Sequence, residues 1–160
     1  MARTVLLHGC DGPDGGPTEW EQGMSLMEWS PALDVGVDSM NREHRDILMA
    51  INAIYDGAQA GYSGAPMMAK IARLGDVTTR HFADEERFMQ SVGFPGFSTH
   101  KAIHDKLLKD FSAHVATIQA AGGRPTKEFF QFLHLWLSAH IKRIDRQYGD
   151  HVAQGGAKAA

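Results

Sequence analysis

Residues 81–104 read HFADEERFMQSVGFPGFSTHKAIH and contain the clearest structural signal in the chain. His81 and Glu85 are four residues apart, as are His100 and His104, and residues four apart lie on one face of an α-helix. Imidazole and carboxylate are common metal-binding groups. The stretch therefore predicts two helices, each with a pair of metal-binding side chains on one face.

Apolar residues on both sides of this stretch recur every three or four positions, which is the period of an amphipathic helix. Four such patterns are present, and Gly61, Gly93, Pro95, Gly122 and Gly123 interrupt them. The predicted core positions are Met40, His44, Ile47, Leu48, Ile51, Ile54 and Tyr55; Met67, Ile71, Leu74, Thr78, His81, Glu85, Phe88 and Val92; His100, Ile103, His104, Leu107, Phe111, Val115 and Ile118; and Phe129, Leu133, Trp136, Leu137, His140, Ile141 and Ile144.

Four amphipathic helices joined by short connections favour an all-α, antiparallel, up-down-up-down four-helix bundle. Asp38 or Ser39 is expected to cap the first helix, and Ser98 the third. No segment alternates with the period of two that a half-buried strand requires.

Composition limits the class of protein. The chain has 160 residues, 43% of them hydrophobic, which suits one domain. Its formal charge of −3 argues against a nucleic-acid partner, and no apolar stretch is long enough for a membrane span. Cys10 is the single cysteine, so no intramolecular disulfide can form, and we expect a cytoplasmic protein.

The two ends of the sequence differ from the middle. Residues 1–24 are rich in Gly and Pro and lack periodicity, which predicts a flexible tail. Residues 152–160 are expected to form a flexible C-terminal tail. The folded domain is therefore expected over residues 25–151.

Several of the nine histidines lie within the apolar stripes, with His44 on the first helix and His140 on the fourth. A single core-facing histidine is more often a satisfied core residue than a ligand, and His81 with Glu85 would also suit a buried hydrogen bond. Burying Glu85 without compensation is costly, however. Three or four imidazoles at one level of the core would be hard to satisfy without a cation, which favours a metal centre.

Asp145 does not follow from this reasoning. It is five residues after His140, about 140° around an ideal helix of 3.6 residues per turn. Periodicity alone places it on the flank, as a surface carboxylate. A wide final turn or a π-type bulge would bring it inward.

The set His44, His81, Glu85, His100, His104, His140 and Asp145 resembles, in order and spacing, the ligand pattern of the hemerythrin family. The surroundings are similar over about residues 27–148: Met27-Glu28-Trp29 and Val35-Gly36-Val37 resemble the family's N-terminal arm, Glu86 and Met89 follow Glu85, Gly93-Phe94-Pro95 precedes the third helix, and Trp136-Leu137 precedes His140. Bacterial members usually carry Asp and Gln where this chain has Asn41 and Glu43. Neither Asn41 nor Glu43 is a ligand, so we expect the metal site to be intact. We expect a hydrogen bond to one of the metal-binding side chains to differ.

The resemblance implies a bundle with an N-terminal arm that holds two iron ions, ferrous or ferric, and a bridging oxo or hydroxo group. His100, His104 and His140 hold one iron, His44 and His81 hold the other, and Glu85 and Asp145 bridge them. One position on the second iron then stays open for molecular oxygen. The side chains expected around that position are Ile47, Phe82, Trp136 and Leu137.

We therefore expect an oxygen-binding protein that stores, delivers or senses oxygen, and not an enzyme. The alternatives are a di-iron enzyme that acts on nitric oxide or peroxide, and a protein of iron storage or sensing. An enzyme would need a proton donor, and no further carboxylate or tyrosine is expected to point inward beside His44 or His81.

Four histidines are not expected to be ligands. His8 and His151 lie toward the tails, and His114 flanks the third stripe and is expected at the surface. His134 is six residues before His140, about 240° around the helix, so it should face away from the cluster.

Overall fold

The computed structural model describes residues 26–155, so the predicted tail over 1–24, His8 and residues 156–160 lie outside the described part. All regular elements in the described part are helical, which confirms the all-α prediction. They are a short 3₁₀ turn at Pro31–Leu33, α1 (Asp38–Gln59), α2 (Gly64–Ser91), α3 (Phe97–Ala120), α4 (Lys127–Ala139), a π-helical turn at His140–Asp145, and α5 (Arg146–Ala153).

The helices form the predicted four-helix bundle, in which α4, the π turn and α5 together make the fourth member. Helix α1 packs against α2 and α4, and α2 packs against α3. Residues 60–63, 92–96 and 121–126 connect the helices, and such short connections make successive helices antiparallel. Among the described helices, none combines the length and the apolar character that crossing a membrane requires.

The ends of the helices correct part of the sequence interpretation. Neither Asp38 nor Ser39 caps α1 with its side chain, because Asp38 is already helical and Val37 precedes it. Ser98 lies inside α3, which begins at Phe97. The break after α2 is confirmed, since Gly93 has a φ of 61° that favours glycine.

An N-terminal arm crosses the end of the bundle that holds the histidines. Leu33 and Val35 of this arm are buried. The backbone N–H of Val35 donates to Oδ1 of Asn41 at 3.0 Å, and Nδ2 of Asn41 donates to Asp34 at 2.8 Å. A Cβ atom on Gly149 would lie 1.9 Å from the Val35 carbonyl oxygen, so only glycine allows the arm to lie this close to α5.

Candidate metal centre

All seven side chains singled out from the sequence converge on one buried region. Two groups of candidate donors form there, and within each group the donor atoms lie within 4.8 Å of one another. The groups share Glu85 and Asp145. The first group adds His100, His104 and His140, and the second adds His44 and His81.

The π-helical turn explains how Asp145 reaches the cluster. The backbone N–H of Arg146 donates to the carbonyl oxygen of Ile141, five residues earlier, so the turn is wider than an α-helical one. Asp145 is completely buried as a result, on the same side as His140. The wide turn that the sequence left as one way to bring Asp145 inward is therefore present.

Three imidazoles of the first group point their Nε2 atoms at a common space. The Nε2 atoms of His100 and His104 are 3.0 Å apart, and those of His104 and His140 are 3.2 Å apart. Imidazole nitrogens bind metals at about 2.0–2.1 Å, so two donors at right angles around one ion lie about 3 Å apart. The separations therefore suit three donors around a single ion.

The two carboxylates each extend one oxygen toward each group. Glu85 Oε2 is 3.2 Å from His100 Nε2 and 3.0 Å from His104 Nε2, whereas Oε1 is on the side of His81, at 3.9 Å. Asp145 Oδ1 is 3.0 Å from His140 Nε2, and its Oδ2 is 3.3 Å from His44 Nε2. This arrangement suits two carboxylates that bridge a pair of ions.

The carboxylate oxygens of Glu85 and Asp145 are buried and have no properly oriented hydrogen-bond donor among the described residues. Both nitrogens of His44 are in the same situation. Leaving such groups unpaired in a protein interior costs about 1–3 kcal/mol each. Cations at the centre of each group would satisfy these atoms at once, so the donor set fits two metal ions.

The electrostatics favour a cation as well. Burial and the neighbouring Asp145 raise the pKa of Glu85, but the surrounding imidazoles outweigh them and bring that pKa to about 2. Burial lowers the pKa of His100, yet its contacts with the two carboxylates raise that pKa to about 9. The carboxylate of Glu85 is thus ionised, and its negative charge favours a positive charge beside it, which a bound metal ion would also supply.

Two further carboxylates contact the outer sides of ligand-type histidines. Oε2 of Glu43 is 2.8 Å from Nδ1 of His81, and Oε1 of Glu86 is 3.1 Å from Nδ1 of His104. Since Nε2 of each ring faces the cluster, Nδ1–H is the donor in both contacts. The sequence did not reveal these contacts, but both carboxylates lie on the side of the ring away from the cluster, so neither contradicts the expectation that no further carboxylate points inward beside His44 or His81.

Tyr148 was also missed. Its side chain is fully buried, its hydroxyl has no well-oriented hydrogen-bond partner in the described part, and its ring centroid is 6.0 Å from that of His100. Burial and the charges of Glu85 and Asp145 raise the pKa of Tyr148, so it keeps its proton. Its position three residues after Asp145 was the available signal, because such residues are neighbours on a helix.

The four residues expected around the open position are all buried next to the cluster or in the adjoining core. The ring of Phe82 stacks on His104 at 3.7 Å between centroids, with 4° between the planes. It also meets Trp136 edge-on at 6.1 Å. Ile47 and Leu137 belong to the apolar core one helical turn from His44 and His140.

The remaining described histidines lie outside both groups. His134 is exposed, in agreement with its expected direction. His151 lies within hydrogen-bond distance of the carbonyl oxygen of Val92, at 3.1 Å. His114, which was expected on the flank of the third stripe, is half-buried, and its ring centroid is 4.8 Å from that of Phe132 in α4.

Comparison with known proteins agrees with this geometry. The family model described as "Hemerythrin HHE cation binding domain" matches residues 35–152. The chain is 32% identical to a bacteriohemerythrin of Stenotrophomonas maltophilia over 129 residues, which cover 81% of this chain and 83% of that protein. It is 33% identical to a hemerythrin of Sipunculus nudus over 75% of this chain and 88% of that protein. A crystal structure of wild-type hemerythrin superposes with a TM-score of 0.71 at 29% identity, covering 78% of this chain and 96% of that structure.

Proposed function

The chain belongs to the hemerythrin family, and we propose that it binds molecular oxygen reversibly at a non-haem di-iron centre formed by the seven clustered side chains. It is an oxygen-binding protein and not an enzyme, as its hemerythrin relatives indicate. The observation that carries the proposal is the pair of donor groups that share Glu85 and Asp145.

We assign the donors to the two irons by group. His100, His104 and His140 would hold one ion, and His44 and His81 would hold the other, while Glu85 and Asp145, which belong to both groups, would contribute to both. The second ion has one imidazole fewer, which leaves room for a small ligand on that side. Iron bound there supplies the electrons that make oxygen binding possible, since neither imidazole nor carboxylate can supply them.

The protein's own contribution is a fixed and dry environment. Glu85 and Asp145 are fully buried, and so are most of the surrounding side chains. Phe82 contacts His104 on its face, and Ile47, Trp136 and Leu137 complete the apolar surroundings that we propose for the ligand. Exclusion of water and protons from this space favours release of oxygen unchanged over its reduction.

The deciding experiment loads the protein with ferrous iron without air and then cycles it between air and inert gas. We expect two irons per chain and a visible absorption band that appears with oxygen and disappears on its removal. One metal per chain, or mainly zinc after growth with ample iron, would contradict the di-iron assignment. Rapid consumption of peroxide or nitric oxide, with no reversible band, would favour the enzymatic alternative.

Two further proposals concern the setting of this function. We place the protein in the cytoplasm, because a single cysteine suits a reducing compartment. We also propose that it has no nucleic-acid partner, since its formal charge is −3. Cell fractionation with an antibody tests the first, and DNA retention at low salt tests the second.

A further inference from the structure

One histidine in each donor group is supported from outside by a carboxylate. Glu43 accepts from His81 in the two-imidazole group, and Glu86 accepts from His104 in the three-imidazole group. A carboxylate in this position fixes the orientation of the ring and makes its other nitrogen a stronger metal donor. Each donor group thus contains one histidine whose Nδ1–H donates to a carboxylate outside the cluster.

The two carboxylates differ in what neutralises their charge. Glu86 Oε2 is 3.5 Å from the Lys101 ammonium group, so its charge is shared between His104 and Lys101. In the described part of the chain, by contrast, His81 is the only basic group within 4.0 Å of Glu43. Within that distance, the negative charge of Glu43 therefore acts on one basic group, His81.

The side chain of Glu43 is partly open to water. Its side chain is 28% exposed and lines a surface cavity of about 200 Å³. Water in the cavity can solvate the carboxylate, and Asp46 and Asp84 adjoin it. The other residues lining the cavity are Val77, Arg80 and His81, and His81 is the one member of the metal cluster among them.

We propose that Glu43 is a positioning residue that strengthens His81 as a donor and so retains the metal ion in the half of the centre that has only two imidazoles. The proposal rests on the ligand assignment given under the proposed function. It explains why the unshared carboxylate is on the side with fewer donors: added charge through His81 offsets the missing third imidazole. Glu86 is the internal reference, because the same contact there is shared with a lysine.

The test compares Glu43→Gln with Glu86→Gln in the full chain. Each substitution keeps the size of the side chain and a carbonyl oxygen that accepts from Nδ1–H, and each removes the charge. Both proteins are loaded with ferrous iron without air and challenged with a ferrous chelator, and the iron remaining per chain is followed. Circular dichroism before the challenge checks that both variants are folded.

For Glu43→Gln we expect one of the two irons to be held about 10–100-fold more weakly than in the wild type, the usual effect of losing such a partner, while the second is retained. For Glu86→Gln we expect a smaller change. Equal iron retention in Glu43→Gln and the wild type would overturn the proposal, as would a larger loss in Glu86→Gln. A wild type that never binds two irons would instead contradict the proposed function, so the two failures are distinguishable.

Discussion

The two ends of the bundle are buried to the same degree but by different chemistry. The end that contains the connections 60–63 and 121–126 is packed with Ile54, Met67, Ile118 and Phe129, all of them completely buried. The opposite end buries Glu85, Asp145 and His104 just as completely, and the other members of the cluster are buried too. The first end is called the apolar end below, and the second the metal end.

The difference shows which end can form without help. Burial of apolar side chains is favourable in itself, so the apolar end needs no additional component. At the metal end, carboxylates face imidazoles and lack oriented donors, so we expect that end to gain further stability when cations bind. One bundle thus contains a self-sufficient core and a core whose stability depends on its ligand.

The largest effect is expected for Glu85→Ala, because Glu85 belongs to both donor groups. We expect this variant to lose two-iron binding altogether while its helix content stays close to that of the wild type, since the apolar end is untouched. Iron analysis and circular dichroism measure the two properties. Two irons retained per chain would show that Glu85 is not a bridging ligand.

Removal of iron should affect the metal end far more than the apolar end. A metal that binds only the folded state adds about 4 kcal/mol to the free energy of unfolding when its free concentration is about a thousandfold above Kd. The equilibrium constant for local opening then falls by about a thousandfold. Hydrogen exchange of apo- and iron-loaded protein measures this for amides near His81 and near Ile54. Equal loss of protection at both sites would mean that the two ends unfold as one unit.

Leu137 and Leu133 are a matched pair one helical turn apart, both buried in the core. Replacement of either by Ala should lower the free energy of unfolding by about 2–5 kcal/mol. Only Leu137→Ala, next to the cluster, should also admit water and speed the loss of the reversible absorption band in air. Equal rates of loss of the absorption band in the two variants would show that Leu137 contributes only to packing.

The smallest effect is expected for His134→Ala. His134 is exposed and lies outside both donor groups. Surface substitutions of this kind usually change stability by less than about 0.5 kcal/mol, and we expect iron content and oxygen binding to be unchanged. Loss of iron from this variant, with normal folding, would contradict the ligand assignment.

The periodicity of the sequence was sufficient for four helices and for the direction of six of the seven clustered side chains, because spacings of three and four define a helix face. It was insufficient for Asp145, since ideal α-helical geometry turns that residue away from His140. Only the family resemblance and then the π turn place it inward. The contact of Glu43 with His81 joins residues 38 positions apart, and no pattern within one helix reveals it.

The late position of Asp145 in the chain also determines at what stage of synthesis the metal centre can be completed. A growing chain that ends after α3 already has His44, His81, Glu85, His100 and His104, but it lacks His140 and one of the two shared carboxylates. Synthesis proceeds from the N-terminus, so His140 and Asp145 are the last of the seven side chains to be added. The nascent protein therefore cannot bind its iron pair in the finished arrangement until the π turn has been translated. By then α4, which supplies Phe129 to the apolar end, has also been made.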